Sequence, residues 1–158
     1  IRNNVRSVIN TNKKGNAWWV FNFPFNLINE PVFVLTCDNI TNIDFNLIEK
    51  DYIKKGEPEC FLIPVQPINN LDGDYIHRKK NIVTKLSRKN KSDIYCSGIQ
   101  IVNPYKINKI VKKTENFNKI WKKLILTKKL VVSDIVPKQW FTIDSVKQLK
   151  MYKKKNIK

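Results

Sequence analysis

Two carboxylates stand where an α/β protein usually places its chemistry: Asp38, directly after the apolar run 31–37, and Asp144, directly after residues 140–143. Ligands of open α/β sheets bind beyond the carboxyl ends of the strands. A hard cation such as Mg²⁺ takes one or two carboxylates and leaves its other positions to water and phosphate oxygens. The pair therefore suits a magnesium-phosphate site. Taken singly, each aspartate also fits a turn former or helix cap, because Asp bonds readily to nearby backbone. His77, the one histidine, sits beside Arg78, Lys79 and Lys80, with no Ser or Cys nucleophile that the sequence places next to it, and reads as a surface residue. There is no Gly-x-x-x-x-Gly-Lys-Ser/Thr, no Gly-x-Gly-x-x-Gly and no His-Glu-x-x-His, so the enzyme classes built on those motifs lose support.

Such residues need a core to hold them. The chain has 158 residues, enough for one domain that buries about 68–70% of its unfolded surface. With 42% apolar and 27% charged residues it falls outside the disordered class. No apolar run reaches the roughly 20 residues of a membrane-spanning helix, and no signal-peptide pattern opens the chain, so no membrane partner and a cytoplasmic location are expected. Cys37, Cys60 and Cys96 are odd in number and far apart, which fits buried thiols better than a disulfide framework or a zinc site.

The net charge of +17 raises nucleic acid or anionic surfaces as partners. However, four of the thirty basic residues are Arg, the residue suited to bidentate phosphate and base contacts. Twenty Asn and twenty-one Ile accompany the lysines, so the charge reads as compositional drift. The densest basic run, 150–158, reads as a solvated lysine-rich tail, and nucleic acid is an unlikely partner. A basic binding module stays as the alternative function, distinguishable by the steep salt dependence that phosphate contacts impose.

Strand and helix signals alternate along the chain. Residues 31–37 form a continuous apolar run, as in a strand buried on both faces of a parallel sheet. Asp44 caps a helix that Lys54-Lys55-Gly56 closes, and Cys60 to Val65 is a second apolar strand, so 31–65 looks like a βαβ crossover. Residues 75–77 and 81–86 suggest a hairpin. Ile94 to Val102 is a long strand interrupted by Gly98, and Pro104 opens a short helix. Residues 116–127 form an amphipathic helix, 130–132 and 140–143 are short strands, and Asp144-Ser145 introduces a last helix. The expected class is α/β: a three-layer, Rossmann-like, mixed but mostly parallel sheet flanked by helices, with a small antiparallel hairpin.

Four segments in order resemble the sugar-phosphate nucleotidyltransferases: Gly15-Asn16-Ala17, Val32 to Asp44 with its apolar strand ending in Cys37-Asp38, Tyr95 to Ile101 with Ser97-Gly98, and Trp140-Phe141-Thr142-Ile143-Asp144-Ser145. The resemblance implies transfer of a nucleoside monophosphate from a nucleoside triphosphate to a sugar 1-phosphate or related acceptor, with release of pyrophosphate and a need for Mg²⁺. It implies Asp38 and Asp144 as catalytic metal ligands, and Gly15, Ser97, Gly98 and Trp140 as substrate-binding residues. Homo-oligomers are possible in such a reading.

The sequence departs from the family pattern in three places. Nothing resembling Gly-x-Gly-x-Arg, with a later Lys-Pro, precedes Gly15; Ser87-Arg88-Lys89 stands where many members have Glu-Lys-Pro; and Asn16 and Cys37 replace a threonine and a glycine. The first departure, with Ile1 in place of an initiator methionine, gives the expectation that the N-terminal nucleotide-binding part is missing. The chain would then be the C-terminal portion of a longer enzyme or the product of a split or eroded gene. An inactive remnant of the family belongs to the same set of alternatives.

Overall fold

A computed structural model describes residues 8–22, 24–69, 71 and 73–156. Its frame is a six-stranded sheet in the order β1 (Val32–Val34), β6 (Tyr95–Val102), β3 (Cys60–Val65), β7 (Leu130–Val132), β5 (Ile82–Ser87), β4 (Tyr75–Lys79). A separate two-stranded ribbon joins β2 (Asn39–Asn42) to β8 (Gln139–Thr142).

The strict two-residue alternation of side chains across a strand divides the core into two layers. Cys60 and Leu62 of β3 and Leu130 and Val132 of β7 face one side. There they meet α1 (Trp19–Asn22), α3 (Pro104–Asn108) and α4 (Phe117–Leu126), through Val20, Ile107, Ile120 and Leu124. Phe61, Ile63, Ile99, Ile101 and Val131 face the other side, where α2 (Phe45–Lys54) lays down Ile48 and Tyr52. The three-layer α/β arrangement is thus present.

The pairing differs from the expected mostly parallel sheet. Beta-strands β3 and β7 run parallel, and every other described pairing is antiparallel. Continuous apolar runs report burial on both faces, and helices cover both faces here whichever way the strands run. Strands β1 and β3 do point the same way, as a βαβ unit requires, but β6 inserts between them antiparallel to both. The apolar run 31–37 is also not doubly buried: β1 is three residues long and lies at the sheet's edge, with Phe33 exposed.

Local signals set most element ends. Asp44 caps α2 by accepting from the Leu47 amide at 3.0 Å, and Gly56 follows its end at φ +80°. Asn103 and Asn116 cap α3 and α4 in the same manner. The last helix, α5 (Val146–Asn156), absorbs the lysine-rich tail up to Asn156, while residues 157 and 158 lie outside the described residues. Of the three cysteines, Cys60 is buried and Cys96 partly so, and burial pushes both thiols up, Cys96 to about 11. Cys37 is exposed, against the expectation of a buried thiol, because the strand before it stops at Val34.

Two polar cores lock the layers. Gln100 Oε1 accepts from Trp121 Nε1 at 3.0 Å and from Cys60 Sγ at 3.3 Å, all buried. On the opposite layer, Asp51 Oδ2 accepts from Ser133 Oγ at 2.6 Å and from the Asp134 amide at 3.1 Å. Replacing Gln100 by Leu strands the Trp121 N–H, and a loss of about 1–3 kcal/mol is expected in urea unfolding. The Asp134 carboxylate is held below the ordinary range, chiefly by the Lys55 hydrogen bond, against partial burial and with help from Asn81 and Arg78. A depressed carboxylate stabilises the fold above its unfolded pKa of about 3.9 and stops doing so as pH falls through the lower folded value. Asp134 is half exposed, so the effect is expected below about 1 kcal/mol. Asp134→Asn should lower the melting temperature slightly at pH 7 and leave it unchanged near the acid limit.

Candidate active site

The β2–β8 ribbon brings the two aspartates together. Its register pairs Asn39 with Thr142, so Asp38 at the start of β2 and Asp144 just past the end of β8 emerge at the same end. The Ile143 amide donates to the Asp38 carbonyl at 2.9 Å, which extends the pairing one residue further. The Thr142 hydroxyl lies between the carboxylates, 3.4 Å from Asp38 Oδ2 and 3.3 Å from Asp144 Oδ2.

The alternative roles for these aspartates are taken by neighbours. Ser145 Oγ accepts from the Gln148 amide at 3.2 Å, while Gln148 Oε1 accepts from the Asp144 amide at 2.6 Å. Ser145 thus caps α5, and the Asp144 carboxylate lies between Thr142 and Gln148, whose Nε2 donates to Asp144 Oδ2 at 3.5 Å. Helix α2 is capped by Asp44, not Asp38.

Asp38 is held below the usual carboxylate range. Burial acts to raise it, and the polar groups around it, Thr36, the Asp144 carboxyl, its own amide and Thr142, together outweigh burial. Its Oδ1 is buried without a hydrogen-bond partner, the one such side-chain atom among the described residues. Buried polar atoms are nearly always satisfied, so an orphan asks for an unseen water or ion. Two adjacent hard oxygen donors, one with a lone pair unspent, fit a magnesium ion that completes its shell with water and phosphate oxygens. No group of three or more His, Cys, Asp and Glu among the described residues could hold a metal, so a site built on side chains alone, of the zinc kind, is not formed there.

The remaining sequence candidates fall into two groups. Gly98 and Trp140 join the aspartates through Asn39. Trp140 Nε1 donates to Asn39 Oδ1 at 3.1 Å, and Asn39 Nδ2 donates to the Ser97 carbonyl at 3.0 Å and to Thr36 Oγ1 at 2.5 Å. Gly98 has φ +80°, and a Cβ there would meet the Thr36 side chain at 3.4 Å. Ser97 lies in the same strand, but its hydroxyl is buried, donating to the Ile63 carbonyl at 2.6 Å and accepting from the Ile99 amide at 3.0 Å.

Gly15 is elsewhere. It is pressed against Glu115, whose carbonyl oxygen would lie 2.1 Å from an added Cβ, and no described contact joins it to the aspartates. Thr36, Asn39 and Thr142 lie around the two aspartates, and the sequence reading did not single them out. The signal for Thr142 is a hydroxyl set in the apolar run Trp140 to Ile143. The larger cavities, about 710 and 580 Å³, open elsewhere and contain neither aspartate.

No protein-family profile matches the chain, and no curated protein is similar to it in sequence. Its backbone does match solved structures. A protein assigned as a glucose-1-phosphate thymidylyltransferase from Bacillus anthracis superimposes with a TM-score of 0.67 at 12% identity, over 92% of this chain and 63% of its own. The inositol-1-phosphate CTP transferase of T. maritima gives 0.64 at 18%, over 92% and 62%. A UDP-glucose pyrophosphorylase solved with UDP-glucose gives 0.63 at 14%, over 90% and 63%. The fold is that of the sugar-phosphate nucleotidyltransferases, and the chain spans less than two thirds of the length of these three.

If the geometry sets the acidity of Asp38, removing either hydroxyl raises its pKa. An NMR titration of carboxyl carbons should show the rise in Thr36→Val and a smaller one in Thr142→Val. An unshifted Asp38 in both variants would refute the hydrogen-bond account.

Proposed function

We propose that this chain carries the acceptor and metal side of a magnesium-dependent nucleotidyltransferase. The reaction is attack by an oxygen of a sugar 1-phosphate, or of a related phosphate or alcohol, on the α-phosphorus of a nucleoside triphosphate; the bond to the β-phosphate oxygen breaks and pyrophosphate leaves. The observation that carries the reading is the Asp38–Thr142–Asp144 cluster with its unpaired Asp38 Oδ1. The reactions named for the similar structures, on glucose 1-phosphate, inositol 1-phosphate and UDP-glucose, support the substrate class.

In this reading Asp38 and Asp144 hold the ion, and Thr142 fixes the two carboxylates relative to one another. The ion supplies neutralisation of the charge that two polyanions bring to one phosphorus, so positioning and electrostatics suffice without a protein nucleophile. Gly98 leaves the backbone of β6 open to the acceptor. Trp140 is oriented through its N–H to Asn39, next to Asp38 in the chain.

The expected result is magnesium-dependent pyrophosphate release by the full-length protein, tested with a panel of nucleoside triphosphates and sugar 1-phosphates. Asp38→Ala and Asp144→Ala should each lower kcat by about 10²-fold or more with an unchanged circular dichroism spectrum. Mn²⁺ binding followed by electron paramagnetic resonance should weaken in parallel. Wild-type turnover in either variant removes that aspartate from the mechanism.

A further inference from the structure

The lysines are not spread as an even drift of composition would spread them. None of the thirty Lys and Arg lies between Gly15 and Glu49, whereas Pro104 to Lys129 holds nine lysines and a single acid, Glu115. Glu115 is paired with Lys14 at 3.4 Å. Lys129 pairs with Glu59 at 2.7 Å, Lys106 donates to the Glu57 carbonyl at 2.8 Å, and Lys109 stands 3.9 Å over the Tyr105 ring. Lys112, Lys113, Lys119, Lys122, Lys123 and Lys128 are exposed and form no ion pair among the described residues.

Five of them crowd one surface. Lys119, Lys122 and Lys123 ride the outer face of α4, away from the stripe Phe117, Ile120, Trp121 and Leu124 that the core takes. Lys112 and Lys113 face Lys119 and Lys123 across a cleft of about 430 Å³ that no carboxylate lines. Helix stability argues against this arrangement. Lys119 stands in the first turn, where the helix dipole disfavours a cation, and Lys119 and Lys123 are like charges four residues apart. Leu126, one turn beyond Lys122 and Lys123 on the same helix, is 80% exposed.

A face that gathers unpaired cations at a cost to its own helix fits a partner that brings the anions. Lysine supplies point charges without the planar fork used for bidentate phosphate and base contacts. From Pro104 to Lys129 there is no Arg and no exposed aromatic ring on which bases could stack. These features suit a fluid sheet of phosphate headgroups, which needs no stereochemical match, with Leu126 as an apolar side chain placed to enter the interface. We propose that the outer face of α4, with Lys112 and Lys113 beside it, docks the protein on an anionic phospholipid surface. The contact is peripheral, since no helix among the described residues is long and apolar enough to cross a membrane. Helix α4 packs on one layer of the sheet, while Trp140 of the β2–β8 ribbon packs on the other, so the acid pair belongs to the layer away from the lipid. The inference is independent of the proposed reaction.

The test is co-sedimentation of the full-length protein with vesicles of phosphatidylcholine alone and of phosphatidylcholine mixed with phosphatidylserine. Binding is expected to the mixed vesicles only, weakening as salt rises. Lys119→Gln with Lys122→Gln and Lys123→Gln should lower the partition coefficient roughly 10²-fold, about fivefold for each lysine near the surface. Lys147→Gln with Lys150→Gln and Lys154→Gln removes the same charge from α5 and should leave the coefficient nearly unchanged. Circular dichroism should be that of the parent protein in both triple variants. On mixed vesicles Leu126→Trp should give a blue shift of emission beyond the parent's. Asp38→Asn with Asp144→Asn should bind as the parent does, which separates this inference from the proposed reaction. Equal partition into the two kinds of vesicle overturns the proposal. Equal losses in the two lysine triples also overturn it, since net charge alone would then account for binding. So does tighter binding to single-stranded RNA than to mixed vesicles at the same salt and phosphate concentration, which would make nucleic acid the occupant.

Discussion

The register of one short ribbon decides whether this molecule has a site at all. Pairing Asn39 with Thr142 sets Asp38 and Asp144 at one end of β2–β8, and a slip of one residue would turn alternate side chains to the opposite face. A two-stranded ribbon is marginal by itself, so its register must be held from outside. Phe141 is buried and its ring lies 5.3 Å from Tyr152 of α5, which ties β8 to the last helix. Asn39 bonds both to Trp140 of β8 and to the Ser97 carbonyl of β6, which ties the ribbon to the main sheet. The acid pair is thus supported from two directions, although both aspartates lie in connecting segments.

Polar satisfaction elsewhere makes the orphan at Asp38 informative. Gln100, Ser133, Asp51, Ser97 and Asn103 are all buried, and each has partners at ordinary hydrogen-bond distances. A fold that satisfies its polar interior so completely does not leave a carboxylate oxygen unpaired through loose construction. Burial opposes the charge on Asp38, yet the surrounding hydroxyls and amide keep it ionised. A carboxylate kept charged, partly desolvated and with an unspent lone pair suits capture of a cation better than donation of a proton.

Much of this was legible in the sequence, for identifiable reasons. Caps and breakers act within a few residues, so Asp44, Gly56, Asn103 before Pro104 and the α4 stripe place helix ends directly. Strand neighbours are decided by contacts across tens of residues, and apolar runs look alike whether their neighbours run parallel or antiparallel, so the insertion of β6 between β1 and β3 was not visible. The aspartates could be singled out because both follow apolar runs of sequence. Their convergence could not, since β2 is built from Asn39, Ile40, Thr41 and Asn42, two of them asparagines with low strand preference. Tertiary pairing with β8 overrides that preference. Gly15 shows the opposite outcome: a glycine in a motif-like setting whose small size answers the close approach of Glu115.

Charge and topology together bear on the approach to the acid pair. Strand β1 stops at Val34, and the chain then runs through exposed Leu35, Thr36 and Cys37 before reaching Asp38. Thr36 accepts from Asn39 Nδ2 and stands against Gly98, and its hydroxyl acts to lower the pKa of Asp38. No Lys or Arg occurs from Gly15 to Glu49. Cations on that stretch would compete, as tethered counter-ions, for the carboxylates that the proposed reaction reserves for a metal.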